Sequence, residues 1–156
     1  MRIGGLQKVS LIDYPGQISA VVFTQGCNFR CPYCHNPELV EPGLYGDIQE
    51  ETDVLSFLDR RQGKLDAVTL TGGEPALQPD LPDFIRTIRE MGYLIKLDTN
   101  GAFPEVLKRL IDLGALEYVA MDIKAPLNRY PAVTRSAVDP VKIRESMDIL
   151  MASGMD

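Results

Sequence analysis

Short runs of aliphatic and β-branched residues alternate along the chain with stretches in which apolar residues recur every three or four positions. The first clear strand is Ile18-Ser19-Ala20-Val21-Val22-Phe23-Thr24, rich in β-branched residues. A looser stretch from Ile3 to Leu11 reads as a short strand or hairpin, set off by Pro15-Gly16. Thr52 or Asp53 is placed to cap a helix that carries Val54, Leu55, Phe57 and Leu58 and runs to about Arg61. Ala67-Val68-Thr69-Leu70-Thr71 is a second strand, followed at once by Gly72-Gly73-Glu74-Pro75. A helix over roughly Asp80–Met91 has Leu81, Ile85, Ile88 and Met91 on one stripe, with Gly92 at its end. Tyr93–Leu97 is a strand ending in Asp98-Thr99-Asn100-Gly101. Pro104 then opens a helix with Leu107, Leu110 and Ile111 inward, stopped near Gly114. Tyr118–Asp122 is the next strand, ending in Ile123-Lys124, and Asp139-Pro140 starts a helix to about Ala152, with Gly154 to end it.

Four βα units imply an α/β fold: a parallel sheet with outer helices, curled into a partial (β/α) barrel. In such sheets ligands bind at the carboxyl ends of the strands. The cysteine loop, Gly-Gly-Glu-Pro, Asp-Thr-Asn-Gly and Asp-Ile-Lys each follow a strand, so all four should converge on one mouth. The chain stops just after a helix, where a fifth strand is expected. The reading is therefore a single domain over residues 1–156, truncated after its fourth βα unit.

The 156 residues, 45% hydrophobic and 24% charged, suit one globular domain. A net charge of −6 argues against nucleic-acid binding through a basic surface and against an anionic membrane surface. No apolar run approaches the ~20 residues of a membrane span, and the N-terminal stretch lacks the apolar core of a signal peptide. The expectation is a cytoplasmic protein that contacts neither membrane nor nucleic acid. Three cysteines lie within eight residues and none elsewhere, which is not a disulfide framework.

The cysteine loop reads Gly26-Cys27-Asn28-Phe29-Arg30-Cys31-Pro32-Tyr33-Cys34-His35-Asn36, with spacing C-x3-C-x2-C. Three thiolates on a short loop can hold three corners of a cubane cluster and leave one iron open to a substrate. The alternative from spacing alone is a zinc site, Cys27, Cys31 and Cys34 with His35. His35 directly follows Cys34, an awkward geometry for one ion, and no second cysteine pair lies downstream.

With Tyr33 as the aromatic residue before the third cysteine, this loop resembles that of the radical S-adenosylmethionine (SAM) enzymes, and the later motifs match in order over essentially the whole chain. The resemblance implies a [4Fe-4S] cluster on Cys27, Cys31 and Cys34. It also implies S-adenosylmethionine chelated at the open iron, and reductive cleavage to a 5′-deoxyadenosyl radical.

Thr71-Gly72-Gly73-Glu74-Pro75 matches the family motif that contacts the amino group of the methionine moiety. Glycines without Cβ allow close approach, and a carboxylate suits an ammonium. On its own the motif is equally a plain βα turn. Asp98-Thr99-Asn100-Gly101 is similar to the segment found in activating enzymes of glycyl-radical enzymes, and Asp122-Ile123-Lys124 resembles their D-x-K. Asp98, Thr99 and Asp122 then look like ligands of a monovalent cation, and Lys124 like a contact to the substrate carboxylate. Tyr33, Gly72, Gly73, Glu74 and Asn100 complete the implied cofactor-binding set. Read singly, the aspartates cap turns and Lys124 is solvated. His35 is assigned no catalytic role, and Arg60, Arg61 and Glu50 read as solvated surface.

The segment from Gly5 to Gly16 and Phe23-Thr24-Gln25-Gly26-Cys27 resemble activating proteins of anaerobic ribonucleoside-triphosphate reductase. The implied partner is a large glycyl-radical enzyme that presents a backbone glycine, and the implied electron donor is a flavodoxin or ferredoxin. Two alternatives remain: a small-molecule radical SAM enzyme, which Cys34-His35-Asn36 speaks against, and a non-catalytic zinc or iron–sulfur module.

Overall fold

The computed structural model describes residues 1–155. Its elements are β1 (Ile3–Ser10), β2 (Ser19–Thr24), α1 (Glu51–Asp59), β3 (Ala67–Gly72), α2 (Leu81–Glu90), β4 (Leu94–Thr99), α3 (Pro104–Asp112), β5 (Tyr118–Met121), α4 (Tyr130–Thr134) and α5 (Pro140–Ser153), with single 3-10 turns between them. The five strands form one sheet in the order β1-β2-β3-β4-β5. β2 to β5 are parallel, as the βα rhythm requires, while β1 is an antiparallel hairpin partner of β2. The sheet is open, with β1 and β5 at its edges. Among the described residues no helix is long and apolar enough to cross a membrane.

Side chains alternate across a strand, and the pattern separates two faces. Ala20, Val22, Val68, Leu70, Ile95, Leu97 and Val119 pack with Val54 and Leu58 of α1, Leu81, Phe84, Ile85 and Ile88 of α2, and Leu107 and Leu110 of α3. Packing rather than capping holds α2. It has no side-chain cap bond, a feature worth about 1 kcal/mol, whereas each of its four buried side chains contributes roughly 1.5–3 kcal/mol. On the other face Val21, Thr69, Lys96 and Tyr118 stand in register across β2 to β5. The β1–β2 turn folds against this row: the Tyr14 ring lies 5.9 Å from Tyr118, and the Thr69 hydroxyl donates to the Asp13 carbonyl at 3.4 Å.

Two expectations need correction. α1 begins at Glu51, with Thr52 and Asp53 inside its first turn and no side-chain cap bond at Glu50. The stretch between β5 and α5, which carried no predicted element, contains α4. α5 starts as expected, with Asp139 accepting from the Val141 N–H at 2.9 Å.

A second apolar cluster sits beside the mouth of the sheet. Phe29 of the cysteine loop, Ala102, Tyr130 and Ile143 are buried together, with Cys27, Cys31 and Met121 packed against them. Phe29 meets Tyr130 edge-on at 6.2 Å, and the Arg30 N–H donates to the Thr134 carbonyl at 2.8 Å. α4 and α5 thereby form the seat of the cysteine loop.

Candidate functional site at the mouth of the sheet

A cavity of about 410 Å³ opens at the carboxyl ends of β2 to β5. Cys27, Cys31, Cys34 and Tyr33 line it from the loop after β2, with His35 exposed at its rim. Gly72, Gly73 and Glu74 reach it from the end of β3, and Asp98, Thr99 and Asn100 from the end of β4. Asp122 and Lys124 reach it from the turn after β5. Every residue singled out from the sequence as a site candidate thus lies on one wall or another of the same cavity.

The three thiols differ in environment. Burial pushes Cys27 up to about 11, although the Phe29 N–H points at its sulfur from 3.4 Å. Burial also raises Cys31, opposed by the Lys124 charge and by a hydrogen bond from Tyr33. The side-chain amide of Asn100 lies 3.8 Å from the Cys27 sulfur and donates to Asn28 Oδ1 at 2.8 Å. Among the described residues no three Cys, His, Asp or Glu side chains converge on one ion-sized point. A single zinc ion needs ligands at about 2.0–2.3 Å. The thiols instead border a space with room for a group of several atoms, and three soft sulfur donors suit an iron–sulfur cluster.

The two glycines are explained first by the protein itself. A Cβ on Gly72, at φ +109°, would stand 2.5 Å from the Thr24 backbone nitrogen, and one on Gly73 would stand 2.1 Å from the Gly26 carbonyl oxygen. What approaches closely is the end of β2, bonded through Gly73 N–H to Thr24 O at 2.9 Å and Glu74 N–H to Gly26 O at 2.8 Å. The glycines therefore fix the cysteine loop against β3.

Glu74 is fully buried. Its Oε1 accepts from the Ala76 N–H at 3.0 Å and the Thr99 hydroxyl at 2.7 Å, and its Oε2 from the Asn100 N–H at 2.7 Å. Burial outweighs these donors and raises it to about 7. The carboxylate ties the β3 motif to the β4 motif.

Lys124 is raised despite burial, because Asp122 accepts its ammonium at 2.7 Å. Burial raises Asp98 against the opposing pull of Lys96, which pairs with it. Sequence reasoning missed three residues of this site. Tyr130 is fully buried; its hydroxyl accepts the Lys124 N–H at 3.0 Å and donates to the Asp122 carbonyl at 3.3 Å. Lys96 sits behind Asp98. Phe29 anchors the cysteine loop. Only the aromatic residue inside the loop carried a signal of its own.

Residues 21–156 match the Radical SAM superfamily. A Methanocaldococcus jannaschii protein described as a glycyl-radical enzyme activating enzyme is 36% identical over 147 residues, 93% of this chain and 59% of that protein. A pyruvate formate-lyase-activating enzyme from Clostridium pasteurianum is 36% identical over 134 residues, 79% of this chain and 52% of the relative. The chain thus spans little more than half the length of these relatives. The crystal structure of QueE from Escherichia coli superposes with a TM-score of 0.58 at 16% identity, covering 99% of this chain and 78% of QueE, a likeness of fold.

Proposed function

The chain belongs to the radical SAM superfamily, and on that premise we propose that it is an activating enzyme for a glycyl-radical enzyme, acting in the cytoplasm. One observation carries the reading: all three cysteines and all three later strand-end motifs border one cavity. Residues 1–156 are read as one radical SAM domain. Cys27, Cys31 and Cys34 would hold a [4Fe-4S] cluster, which when bound and reduced would supply one electron to split S-adenosylmethionine into methionine and a 5′-deoxyadenosyl radical able to take hydrogen from a partner's glycine.

The chain's own residues do the rest. Gly72 and Gly73 hold the cysteine loop against β3, and Glu74 fixes Thr99 and Asn100 beside it. The walls from β3 and β4 face the amino group of the substrate. Lys124, half-buried and held by Asp122, presents an ammonium to the substrate carboxylate. Tyr33, an exposed side chain on the cavity lining, bonds Cys31. The relatives' names point to a glycyl-radical enzyme as partner. An anaerobic ribonucleoside-triphosphate reductase-like enzyme is the proposed one, with a flavodoxin or ferredoxin as electron donor.

The test is anaerobic loading with iron and sulfide, reduction, addition of S-adenosylmethionine and chromatography for 5′-deoxyadenosine. Product that vanishes in Cys31→Ala, and a glycyl-radical resonance on adding the partner, are expected. Zinc without sulfide in the purified protein would sink the reading.

A further inference from the structure

The resemblance that assigns Asp98, Thr99 and Asp122 to a monovalent cation meets a conflict in this chain. Residues two apart on a strand share a face, so Lys96 and Asp98 stand side by side on β4. The Lys96 ammonium donates to Asp98 Oδ1, and the Thr71 side chain bonds the same carboxylate. Lys96 is itself buried, with 9% of its side chain exposed. Its ammonium lies 5.9 Å from the Tyr118 ring centre, and Tyr14 backs that ring. Asp122 also pairs with the lysine two residues on, Lys124, but its carboxylate is largely exposed. Asp98 borders the cavity and Lys96 stands behind it.

A metal cation at Asp98 would either displace this ammonium from Oδ1 or sit on the other carboxylate oxygen, close to its positive charge. Among the described residues Asp98 is the one ion-pair partner of Lys96. Stripping a buried ammonium of its counter-charge is much more costly than keeping the pair. The two cations therefore compete for this carboxylate, and the buried ammonium already holds it.

We propose that Lys96 takes the place of the metal cation: its ammonium supplies the fixed positive charge behind Asp98 and holds that carboxylate in place, so the site works without a monovalent metal ion. Lys96 is a positioning residue, acting through Asp98. The inference rests on the proposed binding of S-adenosylmethionine beside Asp98.

Thallium(I), read by thallium NMR on the whole chain, probes the site directly. Wild type should bind none, while Lys96→Thr, which leaves a carboxylate facing vacated space, should bind it. Lys96→Met, which keeps the apolar stem, repeats the test with the packing preserved. With the cluster loaded, wild-type affinity for S-adenosylmethionine should be the same in sodium, potassium and choline salts. The Thr variant should bind about tenfold more weakly in choline than in potassium. Thallium binding by wild type that Asp98→Asn abolishes, or no binding by any Lys96 variant, overturns the inference. Failure to bind S-adenosylmethionine in every salt counts against the proposed function alone, since the thallium comparison still decides the role of Lys96.

Discussion

Glu74 accepts the backbone N–H of Asn100 at 2.7 Å with both groups buried, and this bond joins the loop after β3 to the loop after β4. Three donors in all face the carboxylate. Glu74→Gln keeps the shape but turns an amide N–H₂ toward at least one of them. A buried donor left without an acceptor costs about 1–3 kcal/mol. Urea unfolding should show a loss of that size, and Glu74→Ala a larger one.

The same group sets a pH dependence. Its folded value of about 7 lies above the ordinary 4.5, so the folded state holds the proton more tightly than the unfolded chain. Stability from this group is fully present below about pH 4.5 and is lost as pH rises through about 7. In the metal-free protein the urea midpoint should carry a falling component across that window, absent in Glu74→Gln. An identical slope in the two proteins would refute the assignment.

Much of this was legible in the sequence, for reasons that explain the gaps. β2 to β5 and α2, α3 and α5 declare themselves because each is a periodic run with punctuation at its ends. The convergence of the strand-end motifs follows from parallel topology alone. α4 was not legible: five residues hold barely more than one turn, and Tyr130 is buried by Phe29, about a hundred positions away. Lys96 reads locally as the polar member of an alternating strand. Its burial comes from Tyr118 on the neighbouring strand and from the β1–β2 turn carrying Tyr14. Gly72 and Gly73 were legible as special positions, yet what they accommodate first is the end of β2.

Tyr130 is the hinge between the Asp122-Ile123-Lys124 turn and the cysteine loop. Tyr130→Phe removes the acceptor of the Lys124 N–H and leaves the ring against Phe29. The expected stability loss is about 1 kcal/mol. Iron loading should be unchanged while affinity for S-adenosylmethionine falls several-fold, because the turn carrying Lys124 loses its tether. Equal affinity in calorimetric titrations of the two loaded proteins would show that the tether does not position Lys124.

The thiols should report their environments in the metal-free protein. Cys27, at about 11, is almost wholly protonated at neutral pH, and the thiolate is the reactive form. Alkylation with iodoacetamide, followed by peptide mass spectrometry, should modify Cys27 far more slowly in the folded protein than in urea. A folded-state rate matching the urea rate would mean that the sulfur is not enclosed.

Gly73→Ala tests whether the glycine pair serves the cysteine loop. The added methyl would sit 2.1 Å from the Gly26 carbonyl oxygen, and the obstacle is backbone, which cannot rotate away as a side chain can. Either the Gly73 N–H to Thr24 bond or the Glu74 N–H to Gly26 bond must lengthen, and with it Cys27 moves relative to β3. Overpacking of this kind costs about 1–3 kcal/mol. The loss in urea unfolding should be accompanied by reduced iron and sulfide uptake under anaerobic loading. Gly43→Ala, at an exposed position with nothing near the new methyl, should leave both unchanged. Full iron uptake by Gly73→Ala would mean that the cysteine loop holds its shape without the clamp from β3.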